Sequence, residues 1–327
     1  MQKSRNIVVG YDGSVEAGHA VRWAARQAVL RGCGLHLVHC SLWPLLTHDL
    51  GPVAGVENSG LERSGEIALD EGLALAKDEA PGLEVQTSLL YGWAPEHLLK
   101  LSAGEAMLVV GSRGIGGFMG LLVGSVSLEM AATASCPVAV IRADDHTEGP
   151  VVVAVDSSGS AAALSDACTL ASLTGAKLTV VHVQHAPAGF RRLRDPAGDG
   201  QELLDSVLRS ARETAPGISI EGQLLTDTSI PRAILEATRG ASITVVGTKG
   251  HGLIRGTIGS TAHAVLHHAR GPVLISRRAD RPGDGQENRN RYLLDEPTGA
   301  DAFHGSNRRP SKRRPGVMTG SGAEDGS

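Results

Sequence analysis

The sequence predicts an α/β protein of two tandem doubly wound domains, each a mainly parallel five-stranded sheet with helices on both faces. Three observations lead there. Apolar runs of strand length alternate with helical runs from Ile7 to Ser276, and strands apolar on both faces belong to a parallel sheet covered on both sides. The pattern then recurs in the second half of the chain in the same order. Hydrophobic residues make up 41% of the chain but aromatics only 3%, so the cores must be packed with Val, Leu, Ile and Ala.

In order, the first half reads as a strand at Ile7 to Gly10, an Ala-rich helix through Ala17 to Arg31 and a strand at Leu35 to Cys40. A long helix around Leu61 to Ala80, a strand near Val85 to Leu89, a short helix from Pro95 to Ser102 and the strand Met107 to Val110 follow. A helix at Ser125 to Thr133 and the strand Val138 to Ile141 close the half. Right-handed crossovers make such a series a small doubly wound domain.

The repeat is explicit. IVVGYDGS from Ile7 answers VVVAVDSSGS from Val151, and GCGLHLVHC from Gly32 answers GAKLTVVHV from Gly175, which sets Val183 opposite Cys40. LLYGWAPEHLL from Leu89 answers LLTDTSIPRAIL from Leu224, MLVVGSRG from Met107 answers ITVVGTKG from Ile243, and CPVAVI from Cys136 answers GPVLIS from Gly271. The offset falls from 144 residues at Asp12/Asp156 to 136 at Gly111/Gly247, so the first half carries eight more residues, expected in the Pro/Gly-rich stretch after Trp43. The domains are therefore 1–145 and 146–277, joined by a short linker at Asp144 to Pro150. Residues 278–327 form a polar, Gly/Pro/Arg-rich tail expected to be disordered, because it has little apolar surface to bury. Its Arg308-Arg309 and Lys312 to Arg314 clusters suit an acidic partner or simply a solvated tail.

A net charge of -4, from 31 basic and 35 acidic side chains, gives no steering toward nucleic acid or an anionic membrane. Cys33, Cys40, Cys136 and Cys168 show no C-x-x-C spacing and read as buried small hydrophobes in a reducing compartment. No apolar stretch has signal or membrane-spanning length, which leads to the expectation of a cytoplasmic protein with no membrane partner.

The chemistry concentrates in GSRGIGGFMGLLVGSV, directly after the strand MLVV. Gly111 and Gly114, then nine residues, then Gly124 and Ser125 describe a loop that approaches an anion closely at its first end and offers helix amides and the Ser125 hydroxyl at its second. Such a loop clasps a polyphosphate, or else it is a structural glycine turn. Arg113 is expected as a mobile cationic arm beside it or as a solvated side chain. It is neither a Walker A loop, lacking Gly-Lys-Ser/Thr, nor the dinucleotide fingerprint, since it follows the fourth strand of its half and not the first. Asp12 ends the first strand, where a carboxylate either meets ribose hydroxyls and a phosphate-bound metal or caps the next helix with Ser14. Cys40, ending the second strand, serves as an apolar wall for adenine or as plain core.

These segments, IVVGYDGS, LVHC, VVGSRGIGGFMGLLVGSVS and CPVAVI, resemble the universal stress protein family, and the chain resembles its tandem members over about residues 5–277. The resemblance implies ATP on G-x-x-G, nine residues and G-Ser/Thr, matched by Gly111, Gly114, Gly124 and Ser125, with Asp12 at the ribose, Cys40 near adenine and the Val126 backbone beside the phosphates. It also implies a regulatory nucleotide-binding protein of stress or energy-limited growth, dimeric or pseudo-dimeric through its final strands. Pairing CPVAVI with GPVLIS would bury both sheet edges within one chain; further homodimerisation and a regulatory protein partner are compatible with this.

The second half departs from the pattern: Gly247 and Gly250 are followed by only eight residues before Gly259 and Ser260. One missing residue displaces an anchor by up to about 3.3–3.6 Å in extended chain, so the second site either keeps binding, with Asp156, Val183 and Lys249 in the matching places, or is structural. Mg2+ suits clustered phosphate charge. No dedicated base or nucleophile stands out, which leaves slow hydrolysis, nucleotidyl or phosphoryl transfer, and a nucleotide-free interaction scaffold as alternatives to regulatory binding. His39 and His182 occupy equivalent strand ends and read as backbone-bonded, while His263, His267 and His268 lack a zinc signature.

Overall fold

The computed structural model describes residues 5–42, 60–115, 122–143, 148–186, 196–248 and 257–277. The insertion after Trp43, most of the linker, Lys249, Gly250 and the tail lie outside the described residues.

The first half contains β1 (Ile7–Gly10), α1 (Val15–Arg31), β2 (Leu35–Ser41), α2 (Gly60–Glu79), β3 (Val85–Tyr91), α3 (Ala94–Ser102), β4 (Met107–Gly111), α4 (Ser125–Thr133) and β5 (Val138–Ile141). The second contains β6 (Val151–Val155), α5 (Ala161–Thr174), β7 (Leu178–His185), α6 (Pro196–Thr214), β8 (Ile220–Asp227), α7 (Ile230–Ala237), β9 (Ile243–Gly247), α8 (Ser260–His268) and β10 (Val273–Ser276). The predicted fold class holds, with two five-stranded parallel halves joined into one ten-stranded sheet of order β3-β2-β1-β4-β5-β10-β9-β6-β7-β8.

Within each half the pairs are parallel, with Val8 standing between His36 of β2 and Leu108 of β4. An antiparallel seam joins the halves, where β5 meets β10 with Ala139 opposite Leu274. Each four-residue strand would otherwise leave its amides and carbonyls at an open sheet edge.

Strand alternation sorts the core into two slabs. Ile7 and Val9 face the α1, α2, α5 and α6 side, where Trp23, Ala76, Leu170 and Leu204 pack. Val8 faces the other side with Leu98, Met130, Ile234 and Leu266 of α3, α4, α7 and α8. Both slabs run unbroken across the seam, drawing residues from each half. The start of α1 is set by Ser14, whose hydroxyl accepts the Ala17 N–H at 3.2 Å, and its end by Gly32 at φ 61°.

Candidate functional site

At the carboxyl ends of β1 and β4 the chain leaves toward opposite faces: α1 packs in one slab and α4 in the other. That divergence opens a crevice at the sheet edge, the place where open α/β sheets hold ligands. A cavity of about 410 Å³ occupies it, within the size range of small-molecule sites. Asp12, Cys40, Gly111, Arg113, Gly114, Gly124, Ser125 and Val126 all line this cavity, so the first-half residues expected from the sequence to bind nucleotide converge on one place.

The glycines are needed for space. A Cβ on Gly111 would stand 2.7 Å from the Ala17 nitrogen, because α1 begins directly against the end of β4. One on Gly114 would stand 2.3 Å from Asp12 Oδ2. Asp12 earns that proximity by accepting two main-chain donors, the Ser14 N–H at 3.0 Å on Oδ1 and the Ile115 N–H at 3.1 Å on Oδ2. It thus stitches the turn after β1 to the loop after β4. The helix-capping role falls to Ser14, whose hydroxyl also donates to the Arg113 carbonyl at 3.2 Å.

The far end of the loop is anchored by the Gly124 N–H on the Ser112 carbonyl at 2.7 Å. Gly124 is the N-cap of α4 and supplies no side-chain acceptor, so the first amides of this helix keep their capacity for an anion. Ser127, one turn in, donates its buried hydroxyl to the Gly111 carbonyl at 2.6 Å and ties helix to strand. Arg113, expected as a mobile arm, is anchored: its Nε donates to Glu16 at 3.0 Å and its Nη2 makes a second bond to the same oxygen. Burial pushes the Cys40 thiol up to about 11, so at neutral pH it is an apolar wall and a poor nucleophile.

The second half repeats the frame and changes the contents. Asp156, Val183, Gly247, Gly259 and Ser260 line a cavity of about 850 Å³ at the matching edge. The Gly259 N–H closes on the Thr248 carbonyl at 2.8 Å, the same bond as Gly124 to Ser112. The anchor bond is therefore kept despite the shorter spacing, and Gly259 again begins α8 without a side-chain cap. The turn differs more. Asp156 Oδ1 accepts the Ser158 N–H at 2.8 Å and the hydroxyls of Ser158 and Ser160, at 2.5 and 3.1 Å. Ser160 is held at φ 43°, the left-handed region, and makes no cap bond to α5.

The histidines at the two strand ends are structural, as expected: His39 Nδ1 lies 2.8 Å from the Tyr11 carbonyl and His182 Nδ1 3.0 Å from that of Val155. Each pins the residue preceding the site aspartate. On α8 the His263 and His267 rings lie 4.4 Å apart.

The universal stress protein family matches residues 3–142 and again 149–277. The chain belongs to the universal stress protein family. A universal stress protein of Mycobacterium tuberculosis is 31% identical over 303 residues, covering 85% of this chain and 99% of the relative. One of Mycolicibacterium smegmatis is 30% identical over 285 residues, covering 83% and 96%. The crystal structure of a universal stress protein from Archaeoglobus fulgidus covers 84% of this chain and 97% of its own, with a TM-score of 0.61 at 21% identity, a likeness of fold. A functionally unknown protein of Pseudomonas aeruginosa shows the same likeness, with a TM-score of 0.57 at 22% identity over 85% of this chain and 94% of its own.

In this universal stress protein the sequence motifs missed the cavity's apolar walls. Val38, Ala94, Leu98 and Val110 line the first site, and Val181, Ile230, Ile234 and Val246 take the matching places in the second. Strand alternation carried the signal for Val38, two residues before Cys40 and hence on the same face. Nothing local marked Leu98. Among the described residues, no helix is long and apolar enough to cross a membrane.

Proposed function

We propose that this protein binds ATP or a closely related adenine nucleotide in the first half, residues 1–145, as a regulatory ligand, and that the second half, residues 146–277, offers a modified version of the same site. The observation that carries this reading is the uncapped start of α4 facing the same cavity as Gly111, Gly114 and Asp12. Free helix amides at one end and close main-chain approach at the other suit a polyphosphate. The apolar wall of Val38, Cys40, Leu98 and Val110 suits a purine, and Asp12 is placed to accept from ribose hydroxyls.

Binding, and not turnover, is the role these groups support. Both oxygens of Asp12 are already engaged by main-chain N–H groups, which suits holding a shape and not moving a proton. A Mg2+ ion would be held chiefly by the phosphates, with Asp12 as the carboxylate of the cavity lining nearest to hand, and it would supply charge neutralisation. The ligand would stabilise the loop and the interface between the halves and so alter the surface offered to a regulatory partner.

The test is native mass spectrometry of freshly purified protein with calorimetric titration of ATP, ADP and AMP. The unaltered chain is expected to carry or take up adenine nucleotide, and Gly124→Asp, which sets a carboxylate where the phosphates would lie, is expected to lose the first-half ligand. Unchanged ATP affinity in Gly124→Asp overturns the assignment of this loop.

A further inference from the structure

Arg142 and Arg277 follow β5 and β10 directly, at equivalent positions of the two halves. Because those strands run antiparallel, each arginine is delivered to the other half. Arg277 donates to the carbonyls of Met130, Ala131 and Ala132, at 3.2 Å, 2.5 Å and 3.0 Å, where α4 ends. Arg142 donates through Nη2 to the Leu266 carbonyl, where α8 ends, and through Nη1 to the Leu122 carbonyl at 3.1 Å. Leu122 lies in the first phosphate loop, two residues before the Gly124 anchor.

We propose that Arg142 is a positioning residue for the first phosphate loop and that, with Arg277, it couples the two nucleotide sites by bracing each half's phosphate-binding helix from the other half. This rests on the reading of both loops as phosphate sites. A cation at the carboxyl end of a helix and an anion at its amino end act on the same dipole. The Ala131, Ala132 and Leu266 carbonyls lie in the last turns of their helices, where intrahelical donors run out, so a guanidinium from across the seam satisfies them, whereas the Met130 carbonyl is shared with the Ala134 N–H at 3.0 Å. The path is contiguous: loop carbonyl of Leu122, guanidinium of Arg142, the end of α8, and at the start of α8 the second-half anchor Gly259. Burial, and then the nearby Arg113, hold Arg142 below the ordinary guanidinium range, in keeping with a group whose favourable partners are main-chain dipoles. The two braces are not equal. The bonds of Arg277 run to the end of α4, whereas Arg142 grips the loop itself.

The test uses the full chain with ATP as the probe. In nucleotide-free protein, amide exchange at Val123 to Ser127 is expected to quicken by about fivefold or more in both Arg142→Lys and Arg142→Gln, since neither side chain offers the planar fork that spans two carbonyls. Unchanged exchange overturns the proposal whatever ATP does. In binding, Gly259→Asp is expected to shift first-half ATP affinity by about fivefold or more, and this shift is expected to vanish in an Arg142→Lys background. An equal shift in both backgrounds overturns the coupling. Arg142→Lys binding ATP as the unaltered chain does, with Arg142→Gln weak, reduces Arg142 to a charge and overturns the positioning role. If exchange quickens but the unaltered chain binds no ATP, the nucleotide reading fails and takes the coupling with it, while Arg142 remains the residue that sets the loop.

Discussion

The two halves share the feet of their glycine loops and differ in the turn that carries the aspartate facing them. Gly124 and Gly259 close on the preceding strand through one and the same main-chain bond, although the second loop is a residue shorter. Asp12 spans two segments, the turn after β1 and the loop at Ile115. Asp156 sits in a turn two residues longer and takes up Ser158 and Ser160 from that turn. A loop can thus lose a residue and keep its anchors, because the anchors are set by the sheet and the helix beneath.

The largest effect expected is at Gly111. Gly111→Ala drives a methyl into the start of α1, 2.7 Å from the Ala17 nitrogen, and overpacking of this kind costs about 1–3 kcal/mol. Thermal unfolding is expected to drop by several degrees, and an unchanged midpoint would show that α1 yields freely. Next comes the pair Asp12→Ala and Asp156→Ala. The first cuts a link between two segments and is expected to weaken first-half ATP binding by roughly tenfold, about 1.4 kcal/mol; the second frees the Ser158 and Ser160 hydroxyls and is expected to loosen the turn after β6. Undiminished ATP affinity of Asp12→Ala in calorimetry would show that this link is dispensable for binding.

A smaller effect separates the helices. His267 on α8 has its pKa lowered by burial and then by His263, His268 and Arg142, whereas the equivalent place on α4 is Ala132. A depressed folded pKa means that the unfolded chain takes up the proton first. Stability from this site is therefore complete above the ordinary value of 6.5 and is lost as pH falls below it toward the folded pKa. His267→Gln is expected to flatten that acid limb in pH-dependent denaturant melts, and a limb of unchanged slope would clear His267. The smallest effect belongs to Arg113→Gln. Its pair with Glu16 is half-exposed on the arginine side, and such pairs contribute about 0–1 kcal/mol, so the unfolding midpoint should move by a degree or two at most. A larger fall would mean that Arg113 holds the loop and not only Glu16.

Much of the site was legible because its residues are local in sequence. Gly111, Gly114, Gly124 and Ser125 declare themselves by spacing after an apolar strand, and Asp12 by ending one. The choice between capping and site duty at Asp12 was not legible. Both uses need a short polar residue before a helix, and only the tertiary structure shows Ser14 as the cap, with Asp12 bonded instead to the Ile115 N–H of the glycine loop. Nothing near Arg113 in the chain points to its partner, because Glu16 lies 97 residues away.

The sequence by itself determined the strands, the helices, their repetition and the spacing of the glycine loops, because apolar periodicity and backbone permissiveness are properties of neighbouring residues. Only the tertiary structure decided that β5 and β10 run antiparallel, and with that where Arg142 and Arg277 reach. Contacts spanning 124 to 147 residues depend on how two finished sheets meet, and the direction of that meeting leaves no local mark in the order of the side chains.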